Sequence, residues 1–260
     1  MKCRDIIERL EETYPRYLAA PWDNPGLLAG RRDKEIENVY IALDATKKVI
    51  RDAIAVGTDL LLTHHPMLMG PVKSVNTDDF TGQRLVELIQ KDISYYAMHT
   101  NHDVVTMAPL AAGMLKLQDT AVLEVTYREE GREEGFGRVG KLPRAMTLRE
   151  CGEYVKEIFG LETVKIFGNL EDRVSLAAVS PGSGKSMVES SVKAGVDVLI
   201  SGDFGHHDGI DAVMQGVSVI DAGHYGLEHI FIGQMSEFIR AEFPQLQVYC
   251  EETENPFKVI

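Results

Sequence analysis

Short apolar runs rich in Val, Ile and Leu, each bounded by Gly, Asp or Ser, recur along the chain with stretches of helical periodicity between them. That alternation predicts βα units and mostly parallel sheets. The strands are expected at residues 39–43, 60–62, 94–97, 174–179, 198–200 and 217–220. Because they are apolar on consecutive positions rather than on alternate ones, both faces of each sheet should be covered. The opening residues MKCRDIIERLEE space Ile and Leu among charges at helical intervals, and a second helix is expected over residues 148–159.

One segment occurs twice. Gly57-Thr58-Asp59-Leu60-Leu61-Leu62-Thr63 returns as Gly195-Val196-Asp197-Val198-Leu199-Ile200-Ser201, each time after a strand and a helix. The chain therefore reads as two similar α/β domains, an internal pseudo-repeat built from residues 1–119 and 173–260. Residues 120–172 read as a connecting subdomain with Glu-rich strand-like pieces, a loop over residues 129–140 and the helix at 148–159; no large inserted domain is expected.

Composition narrows the function classes. Hydrophobic residues make up 44% of the 260 and charged ones 26%, ordinary values for a globular chain. Asp and Glu number 40 against 27 Lys and Arg, and a net charge of -13 disfavours nucleic acid as the main partner. The three cysteines, Cys3, Cys151 and Cys250, form no CxxC pair, which argues against disulfides or a thiolate zinc site and suits a reducing, cytoplasmic setting. The charged opening lacks the apolar core of a secretory signal, and no stretch approaches the ~20 apolar residues of a membrane span.

The eight histidines are concentrated in four clusters, each directly after an apolar strand. These are His64-His65, His99 with His102-Asp103, His206-His207, and His224 followed by Glu228 and His229. Ligands of open parallel sheets bind beyond the carboxyl ends of the strands, so the clusters are candidates for one shared pocket. Imidazole and carboxylate donors without thiolates suit Fe, Zn, Mn or Ni. His224 and Glu228 stand four apart, so on a helix beginning after Gly223 both would face the same space. Adjacent His64 and His65 would point apart and serve two ions, with Asp103 or Glu228 bridging them. His206 and His207 read as proton carriers or as partners that orient the ligands, His99 and Asn101 as supports for the Asp103 loop, and His102 and His229 as surface residues.

Ser180-Pro181-Gly182-Ser183-Gly184-Lys185-Ser186 follows an expected strand and is expected to open a helix, the setting of a phosphate loop. The GxxxxGK[ST] pattern nonetheless fails, because Val179 stands where its first glycine is required. A tight glycine turn under the metal pocket is the plainer reading.

With these residues assembled, the sequence resembles the Nif-three-like dinuclear-metal family, the GTP cyclohydrolase I type 2 homologues. The resemblance rests on Trp22-Asp23-Asn24-Pro25-Gly26-Leu27, Asp59 through Thr63-His64-His65-Pro66, His99-Thr100-Asn101 with Asp103, Gly137-Arg138-Val139-Gly140, Gly182-Ser183-Gly184, His206-His207, and Asp221-Ala222-Gly223-His224-Tyr225 with Glu228. It implies a metal site in the cleft between two similar domains, two ions per chain on His64, His65, Asp103, His224 and Glu228, and a toroidal homohexamer. Trp22, Asn24, Asn101, Gly182, Ser183 and Gly184 are then candidate substrate contacts, and His99, His206 and His207 candidates for proton transfer. Leu28, His102, Asp203 and Leu227 depart from the family pattern, all of them outside the expected ligands.

Three functions compete on this reading. The first is a metal-dependent hydrolase acting on a small, nucleotide-like substrate; the second is a non-catalytic metal-binding or regulatory ring protein; the third is a P-loop-like nucleotide binder.

Overall fold

A computed structural model describes residues 1–129 and 131–260. In chain order the elements are α1 (Cys3–Thr13), β1 (Gly26–Ala29), β2 (Asn38–Ala42), α2 (Lys47–Ala55), β3 (Leu60–Thr63), α3 (Phe80–Gln90), β4 (Ser94–Ala97), α4 (Thr100–His102), α5 (Ala108–Met114), β5 (Gln118–Glu129) and β6 (Arg132–Thr147). Then follow α6 (Leu148–Phe159), β7 (Lys165–Phe167), β8 (Arg173–Ser183), α7 (Val188–Ala194), β9 (Val198–Gly202), α8 (His206–Met214), β10 (Ser218–Asp221), α9 (His224–Glu228), α10 (Ile230–Glu242) and β11 (Gln247–Cys250). They form two compact α/β units, residues 1–102 with 230–253, and residues 103–229 with 254–260.

The sheet of the first unit runs β1-β4-β3-β2-β11, parallel throughout except for the edge strand β1. Tyr40, Ala42, Leu61, Tyr95 and Ala97 pack against Val49, Ile50 and Ala53 of α2 and Leu88 of α3. The alternate strand positions Ile41, Leu60 and Leu62 are equally buried, and α10, with Phe231, Met235 and Ile239 fully buried, packs on β2. Two covered faces are what unbroken apolar strands require.

The second unit carries a six-stranded sheet, β5-β6-β8-β9-β10-β7. Its centre, β8-β9-β10, is parallel, as expected, whereas β5, β6 and β7 join antiparallel. The expected loop over residues 129–140 is corrected here: from Arg132 onward it is β6, paired with β5 on one side and β8 on the other, and Glu130 lies outside the described residues. Gly135 suggested a turn, but its real service is close approach, since a Cβ there would run into the backbone of Glu124 on β5.

The repeated segment does the same physical work in both units. Gly57 and Gly195 take the left-handed φ of +69° and +67° that ends the preceding helix. Two residues later, Asp59 Oδ2 accepts hydrogen bonds from the amides of Glu37 and Asn38, both at 3.0 Å. Asp197 Oδ2 accepts from Ser175 and Leu176 at 2.8 and 2.9 Å. Each aspartate's own carbonyl then receives the first amide of the next strand, Ser94 at 2.9 Å or Ser218 at 3.0 Å. A single residue, through its carboxylate and its carbonyl, thus sets the register of three neighbouring strands. Asp197→Ala is expected to cost about 1–3 kcal/mol in urea unfolding, two hydrogen bonds at ~0.5–1.5 kcal/mol each, and Asp197→Asn, which keeps an acceptor, distinctly less. Equal losses would show that charge, rather than acceptance, matters there.

Candidate metal centre

In the first unit β3 and β4 run side by side and deliver His64, His65 and His99 from their carboxyl ends. The turn after β3 is pinned through the carbonyl of His65, which accepts from the Thr63 hydroxyl at 2.8 Å and from the Tyr95 hydroxyl at 3.0 Å. Burial pushes the Tyr95 phenol up to about 12, so it stays a donor across the neutral range. His65 Nδ1 lies 2.9 Å from Asp44 Oδ1, and His99 Nδ1 lies 2.7 Å from Asp23 Oδ1. A carboxylate only accepts, so in both rings Nδ1 carries the hydrogen, and Nε2 is the nitrogen turned to other partners. One ring nitrogen from each of His64, His65 and His99 lies within 4.8 Å of the others.

Asp23 is the anchor of the His99 loop. Besides His99 it accepts from the amide of Thr100 at 3.0 Å and from the Thr100 hydroxyl. Burial by itself would raise this carboxyl, but the donated hydrogen bonds outweigh it and hold Asp23 below the usual carboxylate range. His64 is fully buried, its ring 5.2 Å from Phe231. His102, read from sequence as a surface residue, is also fully buried: Nε2 donates to Gln234 Oε1 at 2.9 Å and the ring packs on Tyr14 and Phe231. His229 is half-buried and stacked on Tyr225, so the surface reading is corrected for both.

In the second unit Asp103 opens a π-helical turn, Asp103–Met107. Such turns concentrate at functional sites. Arg138 on β6 ties the turn down, donating to the carbonyl of Val104 at 3.2 Å and to those of Gly135 and Gly137 at 3.1 and 2.9 Å. On α9, His224 and Glu228 face each other at i and i+4, Nε2 to Oε2 3.0 Å. His224 Nδ1 lies 2.7 Å from Asp203 Oδ2, the third imidazole held this way. Asp221 fixes the approach to α9, accepting from the Gly223 amide at 3.0 Å and from Phe204 at 3.1 Å while pairing with Lys165 at 2.8 Å. Glu228 is 3% exposed, and a buried carboxylate needs a cation or several donors.

The glycine run is not a phosphate loop. Residues 180–183 continue β8, and only a short 3-10 turn, Lys185–Met187, separates them from α7, so the expected strand-to-helix loop is absent. Gly182 instead lies against Glu228, with φ +82° and no room for a Cβ beside Oε1. Ser183 is exposed, and Gly184 packs on Ser201.

The remaining candidates sit as follows. Trp22 is 62% exposed with its ring edge-on to His99 at 5.8 Å. Asn24 Nδ2 donates to the Leu68 carbonyl at 2.7 Å. Asn101 is buried and donates to the Tyr14 carbonyl at 2.8 Å, bracing the interior. His206 and His207 are exposed at the start of α8, their rings 5.1 Å apart. Asp23, Asp44, Asp203 and Arg138 were not singled out from sequence as site residues. Asp44 offered a signal, since it stands just beyond the carboxyl end of β2, the position that histidines occupy after β3 and β4.

The donor chemistry suits first-row divalent ions: in each unit imidazoles are held by carboxylates, and in the second His224 also faces the buried Glu228. The model of the family described as Duf34/NIF3 (NGG1p interacting factor 3) matches residues 1–256. The chain belongs to the DUF34/NIF3 family. A relative from Clostridium perfringens, a GTP cyclohydrolase 1 type 2 homolog, is 32% identical with all of both chains covered. A Bacillus cereus protein related to NIF3 superposes with a TM-score of 0.91 at 25% identity, covering 100% of this chain and 99% of its own. Reduced HcgD from Methanocaldococcus jannaschii is 31% identical with a TM-score of 0.83, covering 96% of this chain and 97% of its own. Two similar α/β domains are the architecture of this DUF34/NIF3 member. None of its described helices is long and apolar enough to cross a membrane.

Proposed function

We propose that His64, His65, Asp103, His224 and Glu228 hold two divalent transition-metal ions, drawn from Fe, Zn, Mn and Ni, and that the chain is a metal-dependent hydrolase of a small, nucleotide-like substrate. One observation carries this reading: His65, His99 and His224 each follow a different strand, and each has Nδ1 on an aspartate at 2.7–2.9 Å. Carboxylate-held imidazoles of that kind are the usual preparation for a metal ligand, because the outer hydrogen bond selects the tautomer and aims Nε2. Two bound ions supply Lewis acidity and lower the pKa of water. The chain's own part is to orient. Asp44 and Asp203 fix the imidazoles, Gly182 and Asp221 fix α9, and exposed His206 and His207 are the proton carriers. Trp22, the single tryptophan, offers an exposed face on which a base stacks. The name of the Clostridium relative favours a nucleotide-like substrate as well.

The same reading makes the protein a cytoplasmic, ring-shaped homohexamer. A partly exposed apolar strip formed by Val105, Pro109, Leu110 and Met114 is a surface that self-association covers. Light scattering should then give about six times the chain mass.

Elemental analysis of the purified protein should find two ions per chain. His65→Ala and Glu228→Ala should lose metal, by more than about a hundredfold in affinity, together with turnover of nucleotides or small phosphoesters. Turnover that survives complete metal removal would discard the hydrolase. A metal-loaded protein silent across the panel would instead support the non-catalytic, regulatory role.

A further inference from the structure

The run Gly137-Arg138-Val139-Gly140 has no part in the function proposed above, yet its arginine is built into the second unit in a way that a strand does not require. We propose that Arg138 is a positioning residue of the metal centre: it holds the turn Asp103–Met107 in the shape that presents the Asp103 carboxylate to an ion. This rests on the metal reading above, in which Asp103 is a ligand. The turn is π-helical, one residue wider than an α-helical turn. Left to itself a helical segment takes the narrower form, so contacts from outside must hold this one open. Arg138 supplies such a contact. Its Nη2 donates at 3.2 Å to the carbonyl of Val104, the residue after Asp103 and 34 positions from Arg138 along the chain. Its Nη1 donates to the carbonyls of Gly135 and Gly137 at 3.1 and 2.9 Å, which anchors the other end of the planar fork to β6. The side chain is 11% exposed, and Glu134, 3.7 Å from Nη2, balances its charge.

The strand itself has no need of these bonds. At this point the backbone of β6 is already paired on both sides, Arg138 with Val122 of β5 and with Val179 of β8. A buried guanidinium is costly unless its donors are used, and the donor that leaves the strand goes to the turn that begins with Asp103. Gly137 prepares the arrangement. Its φ is +66°, and a Cβ there would lie 3.0 Å from Leu123 and 3.1 Å from the Val179 carbonyl, so glycine is strongly favoured. A left-handed residue within a strand bends it and re-aims the neighbouring side chain, a device found beside functional sites.

The test uses the full chain stripped of metal and titrated with cobalt(II), with bound cobalt counted by elemental analysis and its ligands read from the visible spectrum. Wild type should bind with saturation. Asp103→Ala, which removes a ligand, should lose more than about a hundredfold in affinity and change the spectrum. Arg138→Met should lose ~10–100-fold, the range for an outer partner that orients a ligand, and shift the spectrum toward that of Asp103→Ala. The double variant decides. Arg138→Met with Asp103→Ala should lose no more than Asp103→Ala alone, because both act through one carboxylate. Circular dichroism of the metal-free proteins establishes which variants fold. If Arg138→Met does not, Arg138→Lys, which keeps the charge without the planar fork, replaces it in both proteins and should lose at least about tenfold. Losses that add in the double variant, or wild-type affinity and spectrum in the single one, overturn the proposal and leave Asp103 a ligand. Wild-type cobalt binding by Asp103→Ala would instead remove Asp103 from the ligands, and this proposal with it. A wild-type protein that binds neither cobalt nor zinc overturns the metal reading as a whole.

Discussion

Gly182→Ala is expected to cost about 2–5 kcal/mol of stability and to remove metal affinity from the His224–Glu228 pair. Two terms add. The left-handed backbone at φ +82° charges any L side chain about 1–2 kcal/mol, and the new methyl overlaps Glu228 Oε1 in a packed interior, where crowding costs a further ~1–3 kcal/mol. The cheaper escape is for the Glu228 carboxylate to swing away, which separates it from His224 Nε2, now 3.0 Å distant. Gly160→Ala is the control: φ there is +66°, yet nothing lies within 4 Å of the added methyl, so it isolates the backbone term. Urea unfolding and metal counting on the two variants separate the effects. If Gly182→Ala costs no more than Gly160→Ala and keeps its metal, contact with Glu228 has no part in the site.

Phe231→Ala should destabilise the first unit by about 3–5 kcal/mol, the range for emptying a buried aromatic site. The ring is fully buried and lies 5.2 Å from that of His64 and 5.0 Å from that of His102. Its loss therefore opens a cavity directly behind a candidate ligand. The expected signature is double: a lower midpoint in chemical unfolding of the metal-free protein, and weaker metal binding because His64 gains rotational freedom. Phe231→Leu refills most of the volume and should recover most of both. Full metal affinity in a Phe231→Ala protein that still folds would show that His64 is held by its turn alone.

Both changes act on packing that no motif search would flag, and they mark where the two levels of description part. Residues 148–159 were legible as a helix because the cause is local: the Thr147 hydroxyl accepts from the Glu150 amide at 3.2 Å, and Glu150 accepts from the Thr147 amide at 2.7 Å. The central strands were legible because consecutive apolar residues signal a sheet covered on both faces. The pseudo-repeat was legible because Gly57 and Asp59, like Gly195 and Asp197, must be those residues to end a helix and set a strand register. The first part of β6 was read as loop because Gly135 serves close strand approach, which shows only once a partner strand is present.

Sequence by itself thus determined the βα alternation, the duplicated half and the imidazoles and carboxylates available at strand ends, all matters of neighbours a few residues apart. Tertiary structure decided which imidazoles are aimed and which buried. Asp23 meets His99 across 76 residues, and Asp44 and Asp203 reach His65 and His224 across 21. His102 is enclosed by Tyr14 and Phe231 from opposite ends of the chain. A ring's tautomer and direction depend on the group that accepts its Nδ1 hydrogen, and chain folding alone brings that group within reach.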